Sequence, residues 1–463
     1  MRGEIPVNEQ TYRMDDAPLN KFHIRITALT FGSNFSDGYA LGIIGMALSL
    51  LSPQMHLSPL WNGLIGSSAL IGLFFGSLLL GGLSDKIGRQ KIFLSNFVIV
   101  TVASALQFFV NDPVTLFILR ILIGFALGGD YAVGSTLLAE FAPRKYRGIL
   151  LSSLNVLWTV GYVLSNVVGY YLGKMGPDSW RWMLVSAVVP AAIVLVMRIG
   201  TPESPRWLVK VGRKEEAREI VRKYIGPHAV MEENISQDVA TNYGIKDLFN
   251  KHLWKRTAFG GLFYVCQVVP YFAIYTFLPT ILNKMGFEET FTVDMLLNLF
   301  LLVGAIAGLW CTEKLSRRGF TIYTFIILTV SLFILSLLPA GSHGFAIMVF
   351  AIFTFVMSAA SNLTLVYPAE LFPTEIRGTG VGVVTAISRI GSAIGTFLLP
   401  ISVSSFGMTT SMISMSVILL IGTVVSIAWA PETKSLGLNE ASDPNLDVDI
   451  SINGEGKRVE VGR

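Results

Sequence analysis

Runs of about twenty or more apolar residues recur along the whole chain, separated by short polar connections. A helix rises 1.5 Å per residue, so about 20 apolar residues cross the ~30 Å hydrocarbon core of a bilayer. That ruler predicts twelve spans, at about 24–51, 61–83, 92–110, 114–141, 148–173, 182–200, 257–282, 293–315, 321–338, 344–369, 378–403 and 411–429. The long polar interval, 201–256, holds the charged run GRKEEAREIVRKY (212–224), which reads as a solvated helix on the membrane surface. The expected organisation is a tail (1–23), a six-helix bundle (24–200), a linker with surface helices (201–256), a second six-helix bundle (257–429) and a second tail (430–463). Residues 439–463 have the composition of a disordered segment.

Composition supports an all-α integral membrane protein. Charged residues make up 14% of the chain, against about 25% in soluble proteins, and 52% is hydrophobic. The polar start lacks the short apolar core and small-residue cleavage site of a cleavable signal peptide. Cys266 and Cys311 both fall in apolar spans, so no disulfide framework or metal-ligand spacing exists. A nucleotide-binding G-x-x-x-x-G-K-[ST] loop is absent, as is a nucleophile–base pair, which argues against a pump or an enzyme. No cofactor, metal or nucleic acid partner is expected; the bilayer and a small-molecule substrate are, with the monomer as the functional unit.

Charge placement orients the spans. Odd-to-even connections carry only Lys174, Arg181 and Lys284, while the others hold Lys86, Arg89, Lys91, Arg144, Lys145, Arg147, Lys314, Arg317, Arg318 and Arg377. By the positive-inside rule both termini and the linker are cytoplasmic. The same connections reveal an internal repeat. Glu140-x-x-Pro143-x-x-x-Arg147-Gly148 returns as Glu370-x-x-Pro373-x-x-x-Arg377-Gly378. Pro202-Glu203-Ser204 returns as Pro431-Glu432-Thr433, and Asp85-Lys86-Ile87-Gly88-Arg89 as Glu313-Lys314-Leu315-Ser316-Arg317. The offsets, 230, 229 and 228 residues, are nearly equal, so the chain is two pseudo-repeated six-helix bundles. Parallel halves with a site at their interface suit alternating access.

Charges inside the spans stand out, because each costs at least ~2.5–3.5 kcal/mol on insertion scales. Counting helical rise from the flanking charges puts Asp37, Asp130 and Arg389 about 15–18 Å below the cytoplasmic edge, near mid-membrane. Arg120 comes out about 30 Å away, nearer the outer surface. Burial penalises an ionised carboxylate unless cations or donors hold it. Asp37 is therefore the first candidate proton carrier, with Asp130 the second; the bland alternative is an ion pair tying helices together. Arg389 lies in AISRIGSAIG (386–395), where small neighbours permit close helix approach, and its planar fork could clamp a carboxylate or phosphate. Tyr39, Trp158, Gln267, Tyr271, Tyr275 and Asn362 are the other candidate substrate contacts. Opposite charges at adjacent helix ends, Asp85, Arg89, Glu140, Arg147, Glu203 and Arg206, with Glu313, Arg317, Glu370, Arg377 and Glu432 in the second half, read as a cytoplasmic gate.

These motifs resemble the major facilitator superfamily. GLSDKIGRQK (82–91) is similar to its loop 2–3 signature. PESPRWL (202–208), PETKS (431–435) and the two E-x-x-P-x-x-x-R-G motifs resemble the sugar-porter branch and its enteric-type metabolite:proton symporter relatives. GGDY (128–131) resembles proton-coupled phosphate transporters. The resemblance implies that the charge network favours the outward-facing state and breaks on inward opening, and that Arg120 faces the helix-one acid. Departures are specific: Asp37-Gly38-Tyr39-Ala40 keeps one of two helix-one acids, and Phe272 and Leu365 replace hexose-porter polar and tryptophan positions. The expected function is proton-coupled uptake of a sugar, sugar acid or other organic acid across a bacterial inner membrane. The alternatives are a proton-driven efflux antiporter, against which the proline-free helix five VGYVLSNVVGYYLG (160–173) argues, and a transporter-like nutrient sensor.

Overall fold

The computed structural model describes residues 12–14, 17–230, 245–250, 253–287, 290–339, 342–372 and 376–434. The first bundle comprises α1 (Lys21–Gln54), α2 (Pro59–Ile87), α3 (Arg89–Leu106), α4 (Pro113–Phe141), α5 (Arg144–Gly173) and a sixth span made of α6 (Ser179–Ser186) and α7 (Val188–Arg198). Two short linker helices follow, α8 (Pro205–Lys210) and α9 (Lys214–Ile220). The second bundle comprises α10 (Trp254–Thr276), α11 (Leu278–Lys284), α12 (Thr290–Lys314), α13 (Arg317–Leu337), α14 (His343–Ser361), α15 (Leu363–Leu371) and α16 (Arg377–Trp429). Among the described residues eleven helices are long and apolar enough to cross a membrane; the last, α16, is two spans joined at Gly407 (φ 83°, ψ 169°). A positive φ of that kind suits glycine, which has no Cβ to clash, and so marks the turn between spans eleven and twelve.

Local chemistry starts and interrupts these helices. Asn20 caps α1 by accepting from the His23 N–H at 2.9 Å while His23 Nδ1 accepts from the Asn20 N–H. Ser58 and Asp112, each followed by proline at the first helical position, cap α2 and α4. Spans six and ten run on through Ala187 and Asn362, which keep right-handed helical dihedrals, while span seven turns at Phe277 (φ −110°, ψ 17°).

Within the first bundle α1 lies against α5 through Gly38: a Cβ there would meet the Trp158 carbonyl oxygen at 1.9 Å. That close approach places the neighbouring Asp37 beside the Trp158 ring. The linker packs on the same bundle. Its charged run, expected to be a solvated surface helix, exposes Lys214, Glu215, Glu219, Arg222 and Lys223, while Val221 and Ile225 are buried in a cluster with Phe22, Phe141 and Leu154 and Ala217 packs with Trp207 and Leu208. Tyr12–Arg13 (β1) pairs in parallel with Ala229–Val230 (β2), and Asn20 Nδ2 donates to the Tyr224 and Ile225 carbonyls at 2.8 and 2.9 Å. The linker's far end joins the other bundle, where Thr257 Oγ1 donates to the buried Leu248 carbonyl at 2.8 Å. The expected disorder of 439–463 lies outside the described residues.

Candidate functional site

A cavity of about 1380 Å³ lies between the bundles, lined by α1, α2, α4 and α5 on one side and α10, α12, α14, α15 and α16 on the other. It runs from Asp37, Trp158 and Gln267 to Gly82, Ile149, Glu313, Arg317, Glu370 and Gly382, at the ends of their helices that carry the repeated motifs. The cavity therefore extends to this motif face. At the opposite face the bundles touch: α2 packs on α16, α5 on α12 and α1 on α10 and α11. Tyr162 Oη donates to the Tyr275 carbonyl at 2.8 Å, and Asn166 Nδ2 donates to Asn298 Oδ1 at 3.1 Å.

Asp37 is buried at the cavity wall. Its Oδ2 accepts from Trp158 Nε1 at 3.1 Å, and its Oδ1 has no hydrogen-bond partner. The Tyr131 hydroxyl and the Arg389 guanidinium act on the same carboxylate. Arg389, 9% exposed, lies 5.1 Å from the Tyr131 ring centroid, and no described carboxylate forms an ion pair with it. Its Nε has no hydrogen-bond partner, and neither polar atom of the Gln267 side-chain amide has one. The aromatic wall is Trp158, Tyr271 and Phe272, with Trp158 stacked on Tyr162 at 5.6 Å. Asn155 Nδ2 crosses between the bundles to Ser361 Oγ at 2.9 Å and Asn362 Oδ1 at 3.2 Å. Polar groups left open beside aromatic faces suit a small molecule with both polar and ring-like surface.

Other expected site residues are placed differently. Asp130 was grouped with Asp37 as a second proton carrier; it lines the cavity but is ion-paired to Arg198 Nη1 at 2.6 Å. Arg198 also donates to the Phe93 carbonyl and Ser33 Oγ, and its guanidinium lies 3.3 Å from the Phe93 ring centroid and 4.1 Å from that of Phe97. Arg120 does not face Asp37. Its Nη2 donates to the Ala40 carbonyl at 3.2 Å, and it lies outside the cavity wall. Tyr39 turns away to Ser186 Oγ at 2.8 Å, and Tyr275 belongs to the contact at the opposite face; neither lines the cavity. Asp294, 4% exposed in the first turns of α12, is a further buried acid, whose Oδ2 accepts from Asn298 Nδ2 at 3.0 Å. Arg198 and Asp294 were missed because each lies within a few residues of a span end, where a charge reads as facing water.

The motif charges form two copies of one arrangement. Arg89 pairs with Glu140, and the Glu203 carboxylate accepts from the backbone N–H groups of Arg89 (3.0 Å) and Gln90 (3.2 Å) at the start of α3. Arg317 pairs with Glu370 at 3.2 Å, and Glu432 accepts from the N–H groups of Arg317 (3.0 Å) and Arg318 (3.2 Å) at the start of α13. Ser204 and Thr433 donate their hydroxyls to Glu140 and Glu370 in turn. Anions at helix N-termini are stabilised by the unpaired N–H groups and the helix dipole. These bonds join helix ends within each bundle and are intact while the cavity reaches this face. The Arg89–Glu140 and Arg317–Glu370 pairs thus coexist with an opening at this face. Arg206 acts electrostatically on Glu140, and Glu313 is exposed at the cavity mouth. The side chains of Asp85, Arg147 and Arg377 lie outside the described residues.

Comparison with known proteins agrees with this architecture. The family model for the sugar (and other) transporter matches residues 26–443. The inner membrane metabolite transport protein YgcS of Escherichia coli K12 is 50% identical over 437 residues, 94% of this chain and 98% of its own length. A partially occluded inward open structure of the xylose transporter XylE from E. coli superposes with a TM-score of 0.75 at 19% identity, covering 90% of this chain and 100% of that one. An inward open XylE structure gives the same score at 21% identity, covering 90% of this chain and 99% of that one. These relatives are membrane transporters rather than enzymes. The chain belongs to the sugar (and other) transporter family of the major facilitator superfamily, a multi-pass membrane protein built to move a small metabolite.

Proposed function

We propose that the protein takes up a small polar metabolite together with a proton by alternating access, with the motif face in the cytoplasm. The observation that carries the reading is the state of Asp37. It is a buried carboxylate on the wall of the central cavity, with one oxygen unpartnered and open to a proton. Asp130 does not share the role, because Arg198 already neutralises it. The substrate contacts are Trp158, Gln267, Tyr271, Asn362 and Arg389, and the open Arg389 favours an organic acid or sugar acid over a neutral sugar. The excess of Lys and Arg beside the motif face supports cytoplasmic termini, so the structure represents an inward-facing state. Uptake into proteoliposomes across a metabolite panel, with an imposed pH gradient, tests the reading. Asp37→Asn should abolish gradient-driven accumulation while preserving substrate exchange; accumulation equal to wild type refutes it.

A further inference from the structure

Away from Glu313, Arg317 and Glu370 at its mouth, the charges around the cavity sort into a closed pair and an open one. Asp130 on α4 and Arg198 on α7 are 2.6 Å apart, and Arg198 is fixed further by Ser33, the Phe93 carbonyl and two aromatic faces. They neutralise each other, and nothing else need enter to balance them. Asp37 on α1 and Arg389 on α16 face each other across the cavity without an ion-pair contact. Asp130, already paired with Arg198, also acts on Asp37, and the further titratable groups on the cavity wall are hydroxyls: Tyr131 from α4, and Tyr264 and Tyr271 from α10. Arg120 is held outside the cavity by the Ala40 carbonyl.

The open pair has room for a guest and one spare unit of each charge. We infer that the substrate is a singly charged anion that binds Arg389, and that it crosses with one proton on Asp37 as an electroneutral pair. This rests on the proton-coupled reading above. Arg389 can balance the Asp37 carboxylate or the guest anion, but only one of them. The empty carrier holds ionised Asp37 with Arg389, a net charge of zero. The loaded carrier holds protonated Asp37, with the anion on Arg389, again zero. Anion without proton leaves one uncompensated negative charge at mid-membrane, and proton without anion leaves one positive charge. Both are penalised in the bilayer interior, so these half-loaded forms do not reorient. In each cycle water at the opposite face gives a proton to Asp37 Oδ1, and water at the motif face takes it back.

The test separates the two driving forces in proteoliposomes. Gluconate, glucuronate and quinate serve as monoanions, glucose and inositol as uncharged counterparts, and glucarate as a dianion. The pH gradient is set by buffer exchange and the membrane potential by potassium and valinomycin. At least one monoanion should enter, consume external protons one for one, accumulate about tenfold per pH unit and ignore an imposed potential of either sign. In Asp37→Asn the empty carrier keeps an uncompensated Arg389 and does not reorient, so the monoanion should exchange across the membrane but neither enter on its own nor accumulate with the pH gradient. Arg389→Gln should lose monoanion transport. Entry of a monoanion that is accelerated by an inside-negative potential overturns the inference, as does transport of only the uncharged compounds or the dianion, or of none of the panel. Monoanion entry that ignores the pH gradient in the wild type refutes proton coupling itself, which is the earlier reading.

Discussion

Gly38 is the position at which a single methyl group should disconnect the proton carrier. In Gly38→Ala the added Cβ would lie 1.9 Å from the Trp158 carbonyl oxygen and 2.8 Å from its carbon. A carbon–oxygen contact needs at least about 3.3 Å, so α1 and α5 must separate by about 1.4 Å. The same displacement stretches the Trp158–Asp37 hydrogen bond from 3.1 Å to about 4.5 Å, which is no longer a bond. The strain should cost about 1–3 kcal/mol, and loss of a bond to an ionisable carboxylate a further ~1.5–3 kcal/mol. Thermal unfolding in detergent reads the sum, and pH-gradient-driven uptake reads the functional part. Trp158→Phe removes the bond without the clash, so it should reproduce the transport defect with a smaller drop in melting temperature. Wild-type melting and wild-type accumulation in Gly38→Ala would refute both the helix contact and the positioning role assigned to Trp158.

Other outcomes follow from the same geometry. Arg198→Gln leaves Asp130 buried and unpaired and should destabilise the protein by about 3–5 kcal/mol, with Asp130→Asn/Arg198→Gln recovering much of it; equal melting of the single and double variants would exclude the pair. Asn166→Ala removes a bond between the bundles worth about 1 kcal/mol, which should raise labelling of cysteines placed at the opposite face about fivefold relative to wild type; unchanged labelling would show that this contact does not hold the face closed. Glu203→Gln and Glu432→Gln should each cost about 0.3–2 kcal/mol through the weakened caps on α3 and α13, and a large effect in one bundle with none in the other would contradict their equivalence.

Much of the architecture was legible in the sequence because the bilayer imposes a simple length rule and the duplication repeats its motifs at one offset. The partners of Arg89, Glu140 and Glu203 could be anticipated for the same reason, since helix ends of known order must meet at one face. The direction in which a residue points along an apolar helix was not legible. Helix α1 is buried on almost every side in its middle, so no polar stripe reveals that Asp37 faces the cavity while Tyr39 turns to Ser186. Depth counting put Arg120 well outward of Asp37, yet its side chain reaches the Ala40 carbonyl, less than one helical turn from Asp37, and no count of residues can announce that its partner is a backbone carbonyl. Arg198 is four residues before Pro202, where a span is expected to be leaving the membrane, and only the bundle's packing turns it inward against Phe93 and Phe97.

The attachment of the linker has a consequence for how the two bundles are held together. One end is fastened to the first bundle through β1, β2 and Asn20, the other to the second through Leu248 and Thr257. The fourteen residues between these attachments, 231–244, are enough chain to span on the order of 50 Å at full extension. That is several times the ~10–12 Å width of a helix, so chain length at this point does not limit how far the bundles rock. Chain continuity at this point should then be dispensable: two polypeptides divided within 231–244 and made in the same cell should find each other through the helix contacts and transport as one.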